Sequence, residues 1–165
     1  MIPSIVVVGS FNQDLTWSCS EFPAAGETVV GRFKTGPGGK GSNQAVAAAR
    51  AGADTAFVGA LGDDHFGRDA ETFLRAEGIA VHLARKKLPT GNAAILVNGR
   101  GENQIIIGLG ANAALAPRDV PAALLGGARV VVCQHETNLA LNLHVFRTAR
   151  IAGCTTVLNP APMRP

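Results

Sequence analysis

Stacking residues are scarce in this sequence: it has no tyrosine and a single tryptophan, and aromatics make up 5% of its 165 residues. Charge of one sign is thin as well. The formal net charge is +3, and apart from Arg85-Lys86-Lys87 the basic residues are scattered. A nucleic-acid surface needs a basic stripe, usually with aromatic platforms for the bases. Nucleic acid is therefore not an expected partner, and the basic triplet reads as a solvated turn. Long hydrophobic runs are missing too. The longest, such as Ile5 to Val8 and Val130 to Cys133, fall far short of the roughly 20 residues a membrane span requires. No basic region precedes the first apolar segment, so the expectation is a cytoplasmic protein with no membrane partner. The cysteines, Cys19, Cys133 and Cys154, are odd in number and lack C-x-x-C spacing; they read as reduced, packed thiols. The four histidines, His65, His82, His135 and His144, show no metal-ligand spacing, and no metal site made by side chains is expected.

What is present describes one globular domain over residues 1–165. The hydrophobic fraction is 47% and the charged fraction 16%, in a chain long enough to bury a core without disulfide support. Ile5 to Gly9 is a continuous β-branched run, suited to a parallel strand covered on both faces. Ser42 to Arg50 is alanine-rich, opens on a capping-type serine and stops at Gly52, which predicts a helix. Thr55 to Ala60 reads as a second strand. Phe66 to Glu77 sets Phe66, Ala70, Phe73 and Leu74 on one helical face, with Asp63 and Asp64 as caps. Ala128 to Gln134, Leu139 to Ala152 and Thr155 to Leu158 continue as strand, helix and strand. Such alternation predicts an α/β, doubly wound, mostly parallel sheet.

Two segments interrupt that rhythm. Leu15 to Thr35 alternates around "TWSCSEF" and "ETVVGRF", and "GNAAILVNGRGENQIIIG" is two strand-like runs about a glycine-rich turn, a hairpin by composition. Together they predict a small inserted β-sheet. The chain closes on "NPAPMRP", with three prolines in seven residues. A doubly wound sheet normally covers its last strand with a helix, so the fold looks half complete.

The chemistry points to "GPGGKGSNQAVAAARAGA", Gly36 to Ala53. A Walker A loop fails here, because Gly41 follows Lys40 where a hydroxyl should meet Mg²⁺. Gly36, Gly38 and Gly41 satisfy G-x-G-x-x-G literally, but a dinucleotide fold needs that motif in the first βα turn, and the first strand ends at Gly9. In "GSFNQD", Asn12 and Asp14 lie beyond the carboxyl end of the first strand, where open α/β sheets place their ligands. An amide and a carboxylate two residues apart can bind one small polar molecule, and a carboxylate can accept from two neighbouring hydroxyls. Vicinal hydroxyls suggest a sugar. The helix start near Ser42 would offer free N–H groups to oxygen atoms.

The segments "GSFNQD", "GGKGSNQAVAAARAGA", "GDDHFG", "VNGRGENQIII", "GANAAL" and "LNPAP" resemble, in order and spacing, the N-terminal half of the ribokinase-like (PfkB-type) carbohydrate kinases. The resemblance covers essentially the whole chain. It implies that Asn12 and Asp14 bind the hydroxyls of D-ribose, that Gly39, Lys40 and Asn43 close over the sugar, and that Glu136 is a further sugar-contacting acid. It implies a lid made of residues 15–35 and 91–108, hinged at Gly38 and Gly39 and forming a homodimer interface. ATP, Mg²⁺ and K⁺ are the implied cofactors, and the implied reaction is phosphorylation of D-ribose at O5.

One requirement is unmet. Phosphoryl transfer needs a base for the nucleophile's proton and positive or N–H groups around the transferring phosphate. The resemblance places these in a Gly-Ala-Gly-Asp motif and an Asn-x-x-Glu segment of the C-terminal half, and this sequence contains neither. "GLGAN" carries Asn112 where the carboxylate is required. No catalytic residue is therefore assigned, and the chain is expected to be inactive alone. The alternatives are a non-catalytic ribose-binding or dimerising module, or a related kinase for fructose, a nucleoside or ketodeoxygluconate.

Overall fold

The computed structural model describes residues 3–163; Met1, Ile2, Arg164 and Pro165, the ends of the expected domain, lie outside the described residues. In chain order the strands are Ile5–Val8 (β1), Asn12–Ser18 (β2), Arg32–Gly38 (β3), Thr55–Gly62 (β4), Ala80–Lys86 (β5), Asn92–Val97 (β6), Asn103–Gly108 (β7), Val130–Gln134 (β8) and Thr155–Asn159 (β9). The helices are Lys40–Arg50 (α1), His65–Ala76 (α2), Ala122–Gly127 (α3) and Leu139–Ile151 (α4), with a 3-10 turn at Gly110–Ala114 and another at Pro117–Asp119.

Five strands form a parallel sheet in the order β5-β4-β1-β8-β9. β1 is central and apolar at every position because both its faces are covered. Val6 and Val8 join Leu125 of α3 and Leu141 and Val145 of α4 in one core layer. Val7 faces the other way, into a layer with Ala45 of α1 and Leu74 of α2. Two layers on opposite faces are the doubly wound arrangement expected from the alternating pattern. Leu74 has no exposed surface, and its truncation to alanine would cost about 3 kcal/mol.

The remaining strands form a second sheet in the order β3-β2-β6-β7. It consists of two antiparallel pairs joined through a parallel β2–β6 contact that sets Asp14 beside Ala93 and Thr16 beside Ile95. The predicted hairpin is there as β6 and β7. The first lid segment is displaced: its strands run from Asn12 and end at Gly38, so Asn12 and Asp14 stand on the small sheet itself. Glu27 to Val30 is not strand. Beyond the Ser18–Arg32 pair the chain turns away, with Cys19 N donating to Val97 O (2.9 Å) and Glu27 N to Ala24 O (3.0 Å).

Three further expectations need correction. Arg85-Lys86-Lys87 is not simply a solvated turn, since Arg85 and Lys86 end β5, a strand the sequence reading passed over. Lys86 is largely buried and pairs with Asp119 at 2.7 Å, while Arg85 pairs with Glu71. Helix α1 starts at Lys40 rather than Ser42; Ser42 lies in its first turn and donates back to the Gly38 carbonyl. Of the two expected caps for α2, Asp64 accepts from Gly67 N at 2.8 Å, whereas Asp63 is exposed and reaches only Arg68 at 3.8 Å.

Candidate functional site

Three chain segments meet where the two sheets join. The β1–β2 connection supplies Ser10 and then Asn12, the β3–α1 junction supplies Gly38, Gly39 and Lys40, and the loop after β8 supplies Glu136. Alternation along β2 puts Asn12 and Asp14 on the same face. That face borders a cavity of about 150 Å³, also lined by Gly39, Lys40, Asn43 and Glu136. All six residues singled out in the sequence therefore surround one space. The same sheet face continues into an apolar stretch unforeseen in the sequence: Ala93 and Ile95 of β6 lie next to Asp14 and Thr16 of β2, with Ile107 and Ile105 of β7 beyond them.

The close approach of the segments depends on two glycines. Gly39 has φ +92°, a conformation L side chains rarely adopt, and a Cβ there would lie 2.7 Å from Asn12 N. A Cβ on Gly38 would collide with the Asp14 carboxylate, which rests against that bare backbone.

Glu136 is 2% exposed and fully engaged. Its Oε1 accepts from Lys40 Nζ at 2.8 Å, and its Oε2 accepts from Ser10 Oγ at 2.6 Å and Lys40 N at 2.9 Å. Burial pushes its pKa up, but the bonds from Lys40 and Ser10 outweigh that and hold it below the ordinary carboxylate value. The first turn of α1 is consequently not open to a ligand as expected. Lys40 N is taken by Glu136, Gly41 N donates to Ser10 Oγ (3.3 Å) and Ser42 N to Ser10 O (2.9 Å). A buried carboxylate at a helix start satisfies the orphan donors and the helix dipole together.

Asp14 is in the opposite condition. Partial burial, together with the neighbouring Glu136 charge, raises its pKa, against a smaller opposing pull from Lys40. Among the described residues no donor engages its carboxylate, so its oxygens are free to accept from a ligand. Asn43, on the second turn of α1, is exposed at the rim.

The match to known proteins is continuous. Residues 3–164 match the model of the pfkB family carbohydrate kinases. The chain belongs to that family. Among its relatives, ribokinase from Mus musculus is 41% identical over 164 residues, covering 96% of this chain and 51% of its own. The ribokinase structure from Giardia lamblia superposes with a TM-score of 0.92 at 39% identity, over 98% of this chain and 52% of that one. The Arabidopsis thaliana ribokinase complexed with ribose and ATP gives 0.84 at 32% identity, over 99% and 55%. This pfkB chain thus spans about half the length of the relatives it matches.

The residues lining this cavity do not fit a nucleotide's phosphates. The cavity's lysine is committed to Glu136, leaving no free cation beside it to meet a triphosphate. Among the described residues no group of three His, Cys, Asp or Glu side chains could hold a metal ion.

Two residues that organise the site escaped sequence reading. Ser10 ties Glu136 to the start of α1. Asn112, which in the sequence shows only as an amide where a base carboxylate is required, is buried and bonds to Phe11 and Asn12.

Proposed function

We propose that this chain is the sugar-binding portion of a ribokinase-like enzyme that phosphorylates D-ribose at O5, and that by itself it binds the sugar without phosphorylating it. The observation that carries the reading is the pairing of a free carboxylate, Asp14, with an amide, Asn12, in a cavity where an apolar stretch adjoins them on the same sheet face. An ionised carboxylate accepts from two adjacent hydroxyls, and the carbon face of a pentose suits the Ala93, Ile95, Ile105 and Ile107 wall. Gly39, Lys40 and Asn43 border the same space, and Glu136 braces Lys40 there.

The small sheet acts as a lid that tilts about Gly38 and Gly39 and, in this reading, pairs two chains as a homodimer. ATP, with Mg²⁺ and K⁺, would supply the phosphoryl group. The residues present bind and orient the sugar and exclude water from it; no proton is removed from O5 by this chain. D-ribose titrated calorimetrically into the purified chain, with ADP release followed in parallel, tests the proposal. Binding without turnover supports it. Turnover above the no-ribose control would place a base and nucleotide site within these 165 residues, and absence of binding would remove the sugar assignment.

A further inference from the structure

Asparagine side chains present a donor at one end and an acceptor at the other. Which end of Asn12 faces the cavity is decided by a residue outside it. Asn112, in the 3-10 turn after β7, has no exposed surface. Its Oδ1 accepts from Phe11 N at 3.1 Å and its Nδ2 donates to Phe11 O at 2.8 Å. A backbone N–H can only donate and a backbone carbonyl can only accept, so these two bonds fix the orientation of the Asn112 amide.

The second Nδ2 hydrogen donates to Asn12 Oδ1 at 2.9 Å. Turning Asn12 over would set donor against donor inside a buried site, leaving both unsatisfied. Asn12 Oδ1 is therefore turned toward Asn112, and its Nδ2 has no partner among the described residues while the residue lines the cavity. Gly91 leaves room for this relay, since a Cβ there would collide with Asn112 Nδ2 and crowd Asn12 Oδ1.

We infer that Asn112 is a positioning residue that makes Asn12 an obligatory hydrogen-bond donor to the ligand. The polar side of the cavity then has fixed polarity, with Asp14 accepting and Asn12 Nδ2 donating. A hydroxyl between them donates to Asp14 and accepts from Asn12, so the site selects a group that does both at once. The ligand half of this inference rests on the sugar-binding reading; the orientation half does not.

The test uses the intact chain with ¹⁵N-labelled asparagine. In the ligand-free protein the Asn112 side-chain amide protons are expected to exchange with solvent at least about tenfold more slowly than those of Asn12, because both are hydrogen-bonded; equal rates overturn the orientation. D-ribose is then titrated into wild type, Asn112→Ala, Asn12→Ala and the double variant. Asn112→Ala is expected to weaken binding roughly tenfold, and the double variant to bind no worse than Asn12→Ala, since Asn112 acts only through Asn12. An unchanged Asn112→Ala affinity, or losses that multiply, overturns the positioning role. A wild-type chain that binds no ribose sinks the sugar reading instead, and the exchange rates then decide the orientation alone.

Discussion

Lys40 Nζ lies 2.8 Å from Glu136 Oε1 across 96 residues of sequence, and the Lys40 backbone N–H donates to the other oxygen of the same carboxylate. One residue thus meets a buried acid with both its main chain and its side chain. The pair joins the start of α1 to the loop after β8, and both residues line the cavity.

Lys40→Met removes half of that arrangement and leaves Glu136 buried with only Ser10 and one backbone donor. The expected loss is about 2 kcal/mol at pH 7, less than for a fully buried pair because the lysine side chain is 34% exposed. Urea unfolding measures it. Glu136 has a folded pKa below its ordinary 4.5, so its contribution is complete above pH 4.5 and is lost as pH falls through the folded value. The variant should show a shallower decline of stability in that acid range, and an equally steep one would show that another carboxylate sets it.

Asp14 predicts the reverse sign. Its folded pKa is raised above 3.8 by burial and by Glu136, so the native state holds its proton more tightly than the unfolded chain does. Asp14 therefore costs stability above the folded pKa, and that cost vanishes below pH 3.8. Asp14→Asn should stabilise the ligand-free chain at pH 7, with no gain at pH 3, while lowering ribose affinity at least about tenfold. Thermal melts at the two pH values and calorimetry read both effects. Intact ribose affinity would remove Asp14 from the site.

Gly39→Ala meets two penalties, the positive φ and a Cβ pressed against the Phe11–Asn12 backbone. A loss of about 3 kcal/mol is expected, with weaker ribose binding because Asn12 is displaced. A stability within about 0.5 kcal/mol of wild type would show that the junction relaxes freely.

The outer face of the small sheet carries Trp17 and Phe33, whose ring centroids are 5.0 Å apart, at 38% and 55% exposure. Ile106 on the same face is 77% exposed. If that face pairs two chains, Phe33→Ser should convert a dimer to a monomer at micromolar concentration while leaving the fold intact. Sedimentation velocity decides the matter, and a wild-type chain already monomeric would remove the lid-pairing proposal.

The sequence made the main sheet legible where burial leaves a plain pattern. β1 shows as an unbroken β-branched run and α2 by its Ala70 and Leu74 spacing. β5 leaves no such pattern because none of its positions is fully buried and its end carries Arg85 and Lys86, whose charges are neutralised by Glu71 and Asp119 from other elements. Such pairing leaves no local trace. The six candidate site residues were named from motif and resemblance, and they converge on one cavity. Ser10 and Asn112 stayed hidden because what they do is bond to residues 126 and 101 positions away. The apolar wall was more accessible: alternation along Asn92–Val97 and Asn103–Gly108 already put Ala93, Ile95, Ile105 and Ile107 on one face.

The chain passes between the two sheets four times, from β1 to β2, β3 to α1, β5 to β6 and β7 to the 3-10 turn. Each passage is short, and the parallel β2–β6 contact welds the two hairpins into one plate. If this plate tilts as a lid, the Gly38–Gly39 junction is one of four crossings that the motion must bend. Such a tilt would turn about an axis through all four passages; the second holds Gly39 at positive φ, and Gly110, also at positive φ, opens the 3-10 turn just past the fourth. Displacement along such an axis is least beside Asn12 and grows toward the hairpin tips at residues 19–31 and 98–102. The acid and amide of the cavity would hold station while the far ends sweep through the arc.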